Sequence, residues 1–268
     1  MNEYLVNDAP ALKRADVGFA MGSGTESAKE AGDLIIIDDN FMSIRNAVLY
    51  GRTIYINILK FCRFQLAINV GAVVLSALMP FLGVEDPLTI TQLLFVNLCM
   101  DSLGALLLGQ EPALDKYMKD PPRRRDESIV SKNMFIQFVI MGLYLTALGI
   151  FWFKSGLFDS MFTSELQFKT GFFTLFMFSA ILNGFNVRSE GFDIFKNLDK
   201  NKQFIKVLCG MLGATLVIAE IGAILPALGR MFSTEAFFKG LIPVIILSLL
   251  IIPVDMLRKL VCGTYKNK

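Results

Sequence analysis

The sequence contains no histidine and carries little charge for its length. Of its 268 residues, 26 are Lys or Arg and 24 are Asp or Glu, which leaves a formal net charge of +2. The absence of histidine removes the commonest metal ligand and the usual general base near neutral pH. A net charge this small gives no electrostatic reason to expect nucleic acid as a partner.

Cysteine is also scarce, and its spacing excludes a redox or zinc motif of the C-x-x-C kind. The four cysteines lie in or beside apolar runs: Cys62, Cys99, Cys209 and Cys262. We predict that all four are small buried hydrophobic residues.

Apolar residues are abundant and are arranged in long runs. They make up 54% of the chain, above the roughly 45–50% of an ordinary soluble domain. A run of about 20 apolar residues is long enough to cross a bilayer as a helix. The sequence therefore predicts a mainly α membrane protein, a six-helix transmembrane bundle in a lipid bilayer. Its spans are expected at about 64–82, 88–108, 133–153, 168–187, 204–226 and 237–257.

The segments between these spans differ in charge. One set of loops, together with the tail, is rich in Lys and Arg: 109–132, 188–203 and 258–268. The opposite loops carry more acidic residues, including Glu85, Asp86, Asp159, Glu165 and Glu235. By the positive-inside rule the basic set faces the cytoplasm. We predict an integral, multi-pass protein with both termini cytoplasmic.

The first forty residues have a different pattern. From Val17 to Asp39 the chain predicts a short strand, a glycine-rich turn, a helix and a buried strand over Leu34–Ile37. This piece is too small to hold a core alone, so we interpret it as an α/β remnant of a larger soluble domain. The expected order is the remnant at 1–40, a stalk helix at 41–62, the transmembrane domain at 63–262 and a tail at 263–268.

Several polar side chains fall inside the predicted spans, where they are expensive and usually functional. Asn97 and Asp101 are four residues apart, so they share one face of the second span. Gly104 follows, where a helix can loosen and expose carbonyl oxygens. Carboxylate, amide and carbonyl oxygens suit a hard cation such as calcium. The alternative is that Asn97 and Asp101 only tie helices together, and Asn69 in the first span is open to both interpretations.

Other intramembrane polar residues favour structural roles. Asn183 and Asn186, with Arg188 after them, lie near one end of the fourth span, and we interpret them as anchors at the membrane face. Glu220 lies deep in the fifth span. It is a candidate cation ligand, but a paired structural carboxylate is the favoured interpretation.

Three stretches of the sequence resemble the P-type cation-transporting ATPases. VNDAPALKRADVGFAMGSGTESAKEAGDLIIIDDNF resembles the end of that family's phosphorylation domain from its hinge motif TGDGxNDAPALK onward. RFQLAINVGAVV and FVNLCMD are similar to its fifth and sixth helices, and FNVRSEGFDIFKN to the loop after its eighth. Within the family, FVNLCMDSLGALLLGQEP is most similar to the plasma-membrane type of calcium pump.

The resemblance implies a calcium site and its composition. Asn97 and Asp101 match calcium ligands on the family's sixth helix, and Asn69 matches an amide on the fifth helix beside them. Two carboxylates of the sarcoplasmic-reticulum type are missing, because Ala72 stands in place of one and the other would fall near Ala180. The resemblance therefore implies one calcium ion per cycle.

The hinge motif is incomplete in this sequence. Asn7 and Asp8 match residues that line the family's phosphorylation site, but Tyr4 stands where an aspartate holds catalytic magnesium. We interpret residues 1–5 as the product of a truncated or misplaced reading frame, with a divergent protein as the alternative. The phosphorylated Asp-Lys-Thr-Gly-Thr motif and the nucleotide-binding domain are absent, so the sites for magnesium and ATP are incomplete and the chain alone is expected to be inactive.

Three interpretations of function follow. The first is the C-terminal half of a calcium-pumping translocase, active within a whole pump or beside a complementary chain that carries the N-terminal half. The second is a non-catalytic membrane fragment. The third is a pump for another cation.

Overall fold

The computed structural model describes residues 8–123, 127–189, 191–232 and 234–262. The chain forms two compact units. The first contains Met1–Tyr55 and Ala113–Arg123, and the second contains Ile56–Pro112 and Arg124–Lys268.

The first unit has a small α/β arrangement. Helix α1 (Asp8–Arg14) is followed by strand β1 (Phe19–Met21), helix α2 (Glu26–Ala31) and strand β2 (Leu34–Ile36). The two strands pair in parallel, with α2 as the crossover between them. Helix α2 begins after Thr25, whose hydroxyl accepts a hydrogen bond from the Ala28 amide. The predicted order of strand, turn, helix and strand is confirmed.

The expectation that the second of these strands is buried is wrong for most of its length. Leu34 and Ile35 are 46% and 47% exposed, and Ile37 is 88% exposed. The sheet has two strands in the described part of the chain. A strand of a parallel sheet is buried only where other layers cover both faces of the sheet, and here that cover is incomplete.

One long helix, α3 (Phe41–Leu78), continues from the first unit into the second. It starts at the predicted residue but ends earlier than Leu82. The chain instead makes a short 3₁₀ turn over Pro80–Leu82. Gly83 follows with a positive φ of 74°, a left-handed conformation that glycine adopts without strain.

The second unit is a helical bundle. Six helical segments of the described chain are long and apolar enough to span a membrane, which confirms the predicted six-helix architecture. After α3, the helices of this unit are α4 (Ile90–Gly109), α5 (Lys132–Lys154), α6 (Glu165–Arg188), α7 (Lys202–Ile224), α8 (Pro226–Phe232), α9 (Leu241–Leu249) and α10 (Ile251–Val261).

Side-chain caps fix where four of these helices begin. Thr89 and Gln92 form a capping box at α4, in which each side chain bonds the other residue's backbone amide. The α5 and α6 helices begin after Ser131 and Ser164, and α7 begins after Asn201. These caps satisfy backbone amides that have no partner within a helix.

The sixth span is two helices rather than one. It runs over Leu241–Val261 and is interrupted at Leu250, between α9 and α10. Pro253 has no amide to donate to the carbonyl of Leu249, so the regular hydrogen-bond ladder cannot pass through this point.

Helix α6 is the centre of the bundle. All residues in the most apolar 18-residue stretch of α6 are buried, whereas only 28% of the residues in the corresponding stretch of α3 are buried. Its core contacts come from phenylalanines such as Phe172, Phe173 and Phe176, each at most 1% exposed.

The prediction for the cysteines is confirmed for Cys99, which is buried, while Cys62 is half-buried. It is wrong for Cys209 and Cys262, which are exposed. Cys209 lies on an outward surface of α7 and Cys262 directly follows α10, and at neither place does an apolar sequence context imply burial in protein.

Candidate cation site and polar clusters of the bundle

Asn97 and Asp101 lie on the same side of α4 and are both exposed within this chain. The other side of α4 carries the packing residues Val96, Met100 and Leu107, each at most 1% exposed. The spacing of four residues places the two polar side chains about 6 Å apart along the helix axis. The sequence-based prediction that they share one face agrees with this arrangement.

Neither side chain has a hydrogen bond or an ion pair within the described residues. The alternative that Asn97 and Asp101 tie helices together is therefore not realised inside this part of the chain. An amide and a carboxylate are left free, and both present oxygen atoms to whatever covers this side of α4.

Asn69 lies on α3 and is half-buried. It too has no hydrogen-bond partner among the described residues. Asn69 lies on α3, whereas Asn97 and Asp101 lie on α4. No hydrogen bond joins the side chain of Asn69 to those of the other two predicted ligands. The described residues also contain no group of three or more His, Cys, Asp or Glu side chains suited to a metal.

The prediction for Gly104 is wrong. Helix α4 is regular from Ile90 to Gly109, so the backbone does not loosen at this glycine. A Cβ atom at Gly104 would lie 2.7 Å from Cε1 of Phe64 on α3. Glycine is needed there because the ring of Phe64 packs directly on the α4 backbone.

Of the two residues predicted to line a phosphorylation site, Asn7 lies outside the described residues. Asp8 is the exposed first residue of α1. No hydrogen bond or ion pair joins its carboxylate to another described residue.

A buried ionic cluster, which sequence reasoning missed, lies just beyond the end of α4. We call it the Glu111 cluster, and it consists of Glu111, Lys60, Arg188 and Asn201. Lys60 Nζ is 3.2 Å from Glu111 Oε2, and Arg188 Nε is 2.6 Å from Glu111 Oε1. Asn201 Nδ2 donates to Oε1 at 2.8 Å. All four residues are at least nine-tenths buried.

Further hydrogen bonds tie the Glu111 cluster to backbone. Asn57 on α3 donates through Nδ2 to the carbonyls of Gly109 and Glu111, both at 3.1 Å. Arg188 donates to the Ile194 carbonyl at 3.2 Å, and its guanidinium lies over the ring of Phe204. Buried charges are tolerated only when they are paired and hydrogen-bonded in this way.

A second buried cluster joins α6 to α10. We call it the Asp255 cluster, and it consists of Asp255, Arg258 and Lys259, which are paired at 2.7 and 3.0 Å. Lys259 Nζ also donates to the carbonyls of Ser189 and Gly191, at 2.9 and 3.1 Å. Ser189 directly follows α6 and Gly191 lies two residues further on, so the lysine caps the end of that helix. The spacing of Asp255, Arg258 and Lys259 at i, i+3 and i+4 is a sequence signal for the pairing.

Asn186 and Glu220 each have a hydrogen-bond partner on another segment of the bundle. Asn186 Nδ2 donates to the carbonyl of Ile251 at 3.0 Å and to Oδ1 of Asn183 at 3.2 Å. Glu220 accepts a hydrogen bond from the backbone amide of Phe237 at 3.2 Å. The bond of Glu220 fits the paired structural role expected from the sequence, whereas Asn183 and Asn186 are buried inside the bundle and their anchoring at the membrane face stays a prediction.

Comparison with known proteins identifies the class. Residues 85–261 match the family model for the C-terminus of cation-transporting ATPases. The chain therefore belongs to the P-type cation-transporting ATPases and corresponds to their C-terminal region.

The relatives in this family are calcium pumps by name. The chain is 42% identical over 219 residues to "Probable calcium-transporting ATPase 8, plasma membrane-type" from Oryza sativa subsp. japonica, an alignment that covers 80% of this chain and 22% of the relative. It is 41% identical over 219 residues to calcium-transporting ATPase 12 of Arabidopsis thaliana, and 41% identical over 236 residues to ATPase 8 of the same plant, both plasma membrane-type. These alignments cover 80% and 85% of this chain, and 20% and 21% of the relatives. The chain thus spans about a fifth of the length of the relatives it matches.

Proposed function

We propose that this chain is the C-terminal part of an ATP-driven calcium pump and carries part of the calcium path. The observation that carries the proposal is the free pair Asn97 and Asp101, exposed within the chain although α4 is long and apolar enough to span a membrane. A carboxylate is costly in lipid unless it faces a partner or a water-filled cavity. Calcium is the favoured cation because the relatives are named as calcium-transporting ATPases.

The ligand chemistry supports a site that is completed from outside the chain. Calcium takes about six to eight oxygen ligands, and Asn69, Asn97 and Asp101 supply too few. Asp101 contributes the only full negative charge among them. We propose that the remaining oxygens come from other helices of the whole pump. Because Ala72 and Ala180 supply no carboxylate for a second ion, we propose that one calcium ion is transported per cycle.

The remaining assignments follow from the same proposal. Asn7 and Asp8 would lie beside the phosphorylation site. Asn7 and Asp8 supply one amide and one carboxylate, so the proposed sites for magnesium and ATP are incomplete in this sequence. Both termini are placed in the cytoplasm. The proposed order is the end of the phosphorylation domain at 1–40, a stalk at 41–62, the transmembrane domain at 63–262 and a tail at 263–268.

Transport by a grafted pump tests the proposal. A complete plasma-membrane-type calcium pump would receive residues 6–262 of this chain in place of its own C-terminal part, with the parent pump as control. We expect ATP-driven uptake of radioactive calcium into vesicles. Uptake of another cation instead of calcium would favour the pump for another cation, and a graft that folds without any transport or phosphorylation would favour the non-catalytic fragment.

The isolated chain provides a second test. Because the sequence has no Asp-Lys-Thr-Gly-Thr motif, residues 1–268 alone are expected to form no acid-stable phosphoenzyme and to show no calcium-dependent ATP hydrolysis. Incorporation of radiolabelled phosphate into the purified chain would contradict this part of the proposal.

A further inference from the structure

We infer that Glu111 is a positioning residue, whose buried carboxylate fastens α3 to the end of α4 and thereby sets the cation affinity of Asn97 and Asp101. The fastening itself is a property of the structure. Its effect on cation affinity rests on the function proposed above.

The carboxylate of Glu111 joins three other segments at one point. Oε2 faces Lys60 of α3, while Oε1 accepts from Arg188 at the end of α6 and from Asn201 at the start of α7. The three partners are 51, 77 and 90 residues away in the sequence. A single side chain therefore connects the middle of α3 to the ends of α4 and α6 and to the start of α7.

The same place also joins α3 to α4 through the backbone. The Asn57 amide donates to the carbonyls of Gly109, the last residue of α4, and of Glu111. The last carbonyls of a helix have no partner within the helix, so this amide makes α3 the cap of α4. Asn57 and Lys60 are three residues apart on α3 and act on the same side of it.

Helix α4 can carry a displacement from this cap to the cation ligands. Asp101 lies eight residues before Gly109, or about 12 Å along the helix. Between them, the backbone at Gly104 is packed against Phe64 of α3. Since the helix is continuous, a shift or rotation at Gly109 also moves Asn97 and Asp101.

The charge of Glu111 is the component that can be removed with the least change in shape. Glu111→Gln keeps the size of the side chain and removes the anion that Lys60 and Arg188 both contact. The two buried cations then repel each other across the cluster, because little solvent screens them. We expect the end of α4 to separate from α3 as a result.

The first measurement uses the chain itself and needs no pump activity. Spin labels at Ile58 on α3 and Leu106 near the end of α4, both exposed, report the distance between the two helices beside the Glu111 cluster in nanodiscs, after the native cysteines are replaced. Glu111→Gln should broaden or lengthen the distance distribution. Asp255→Asn is the matched control, because it removes an equally buried carboxylate from the Asp255 cluster, and it should leave this distance unchanged.

The second measurement uses the grafted pump and the calcium dependence of its phosphorylation. Glu111→Gln should raise the calcium concentration for half-maximal phosphoenzyme by about 3- to 30-fold, the usual range for coupling through a packed network. Glu111→Asp, which keeps the charge, should recover part of that loss. Asp255→Asn should lower the melting temperature without changing the calcium dependence.

The outcomes separate the two claims. An unchanged distance distribution in Glu111→Gln, or equal shifts in calcium dependence for Glu111→Gln and Asp255→Asn, would overturn the positioning role. A wild-type graft that forms no calcium-dependent phosphoenzyme would contradict the proposed function and with it the effect on affinity, and the distance measurement would then decide the fastening alone.

Discussion

At the scale of single residues, the three predicted cation ligands differ in how completely the chain surrounds them. Asn97 and Asp101 are exposed, whereas Asn69 is half-buried on α3. An exposed polar side chain in a membrane span is available to a cation or to any group that packs on that side of the helix. A half-buried amide also has a packing role within the chain. The contribution of Asn69 to cation binding is therefore expected to be smaller.

Alanine substitutions in the grafted pump test this ranking. Asn97→Ala removes one oxygen from a small coordination shell and should weaken calcium affinity by about 10- to 100-fold, the range found when supporting groups of metal sites are removed. Asn69→Ala should weaken it less. The measurement is the calcium dependence of phosphoenzyme formation. A larger loss for Asn69→Ala than for Asn97→Ala would contradict the ranking.

Asp39 in the first unit gives a prediction about pH. The backbone amide of Ser23 donates to its carboxylate at 2.9 Å, and this bond holds the pKa of Asp39 below its usual value of 3.8. Because the pKa of Asp39 is lower in the folded chain than in the unfolded chain, the ionised carboxylate stabilises its contact with the Ser23 amide at pH values above the unfolded pKa. That contribution is lost as the pH falls through the folded pKa.

Hydrogen exchange at the Ser23 amide checks this prediction when wild type and Asp39→Asn are compared at equal pH. Asparagine tolerates the positive φ of 52° at this position, so the change removes mainly the charge. Exchange should be faster in the variant at pH 7, and the difference should shrink as the pH falls below 3.8 and the Asp39 carboxylate becomes protonated. Equal rates at pH 7 would show that the charge does not matter.

At the scale of helices, close packing of α3 on α5 depends on glycine. A Cβ atom at Gly142 would lie 2.5 Å from Val70 Cγ1 and 3.0 Å from the Ala67 carbonyl oxygen. Small residues at such crossings let membrane helices approach each other. Gly142→Ala should therefore destabilise the bundle by about 1–3 kcal/mol, the usual cost of overpacking.

Gly210→Ala on α7 is the matched control, because a Cβ atom there would meet nothing within 4 Å. Thermal unfolding of the chain in detergent is the measurement. A lower melting temperature is expected for Gly142→Ala and an unchanged or slightly higher one for Gly210→Ala. Equal melting temperatures would mean that α3 and α5 are not held at this distance in solution.

The positions of the helices could be predicted from the sequence, and most of their polar contacts could not. A segment in lipid has to form a helix, because its backbone groups find hydrogen-bond partners only within the segment. Each apolar run long enough to cross the bilayer therefore predicted one helical span. The Glu111 cluster was missed because its members are 51 to 90 residues apart in the sequence. Gly104 was misread for the same reason, since the ring that requires it belongs to α3.

The candidate cation site was predictable only as a face of one helix. The spacing of Asn97 and Asp101 places them together on α4, whatever packs around it. Which side of α4 stays uncovered depends on every other helix, so their exposure required the structure. The break at Leu250 was hidden by an apolar run that continues through it, although Pro253 marks the place.

At the scale of the whole molecule, the orientation in the membrane stays a prediction. Cysteines introduced at Lys119 and Ser160, both exposed, would sit in loops on opposite sides of the bilayer. In a version without native cysteines, a membrane-impermeant reagent should label Lys119→Cys from the cytoplasmic face and Ser160→Cys from the other. Labelling of Lys119→Cys from the outer face would contradict the positive-inside prediction.

In the proposed pump, Asp101 is the anionic ligand of the transported ion. Asp101→Asn in the grafted pump keeps the shape of the side chain and removes its charge. Glu220→Gln is the control, because it makes the same change at an intramembrane carboxylate whose partner is the Phe237 amide. The direct measurement is calcium transported into vesicles per milligram of each pump. We expect Asp101→Asn to abolish calcium transport and Glu220→Gln to retain it, and undiminished transport by Asp101→Asn would contradict the ligand assignment.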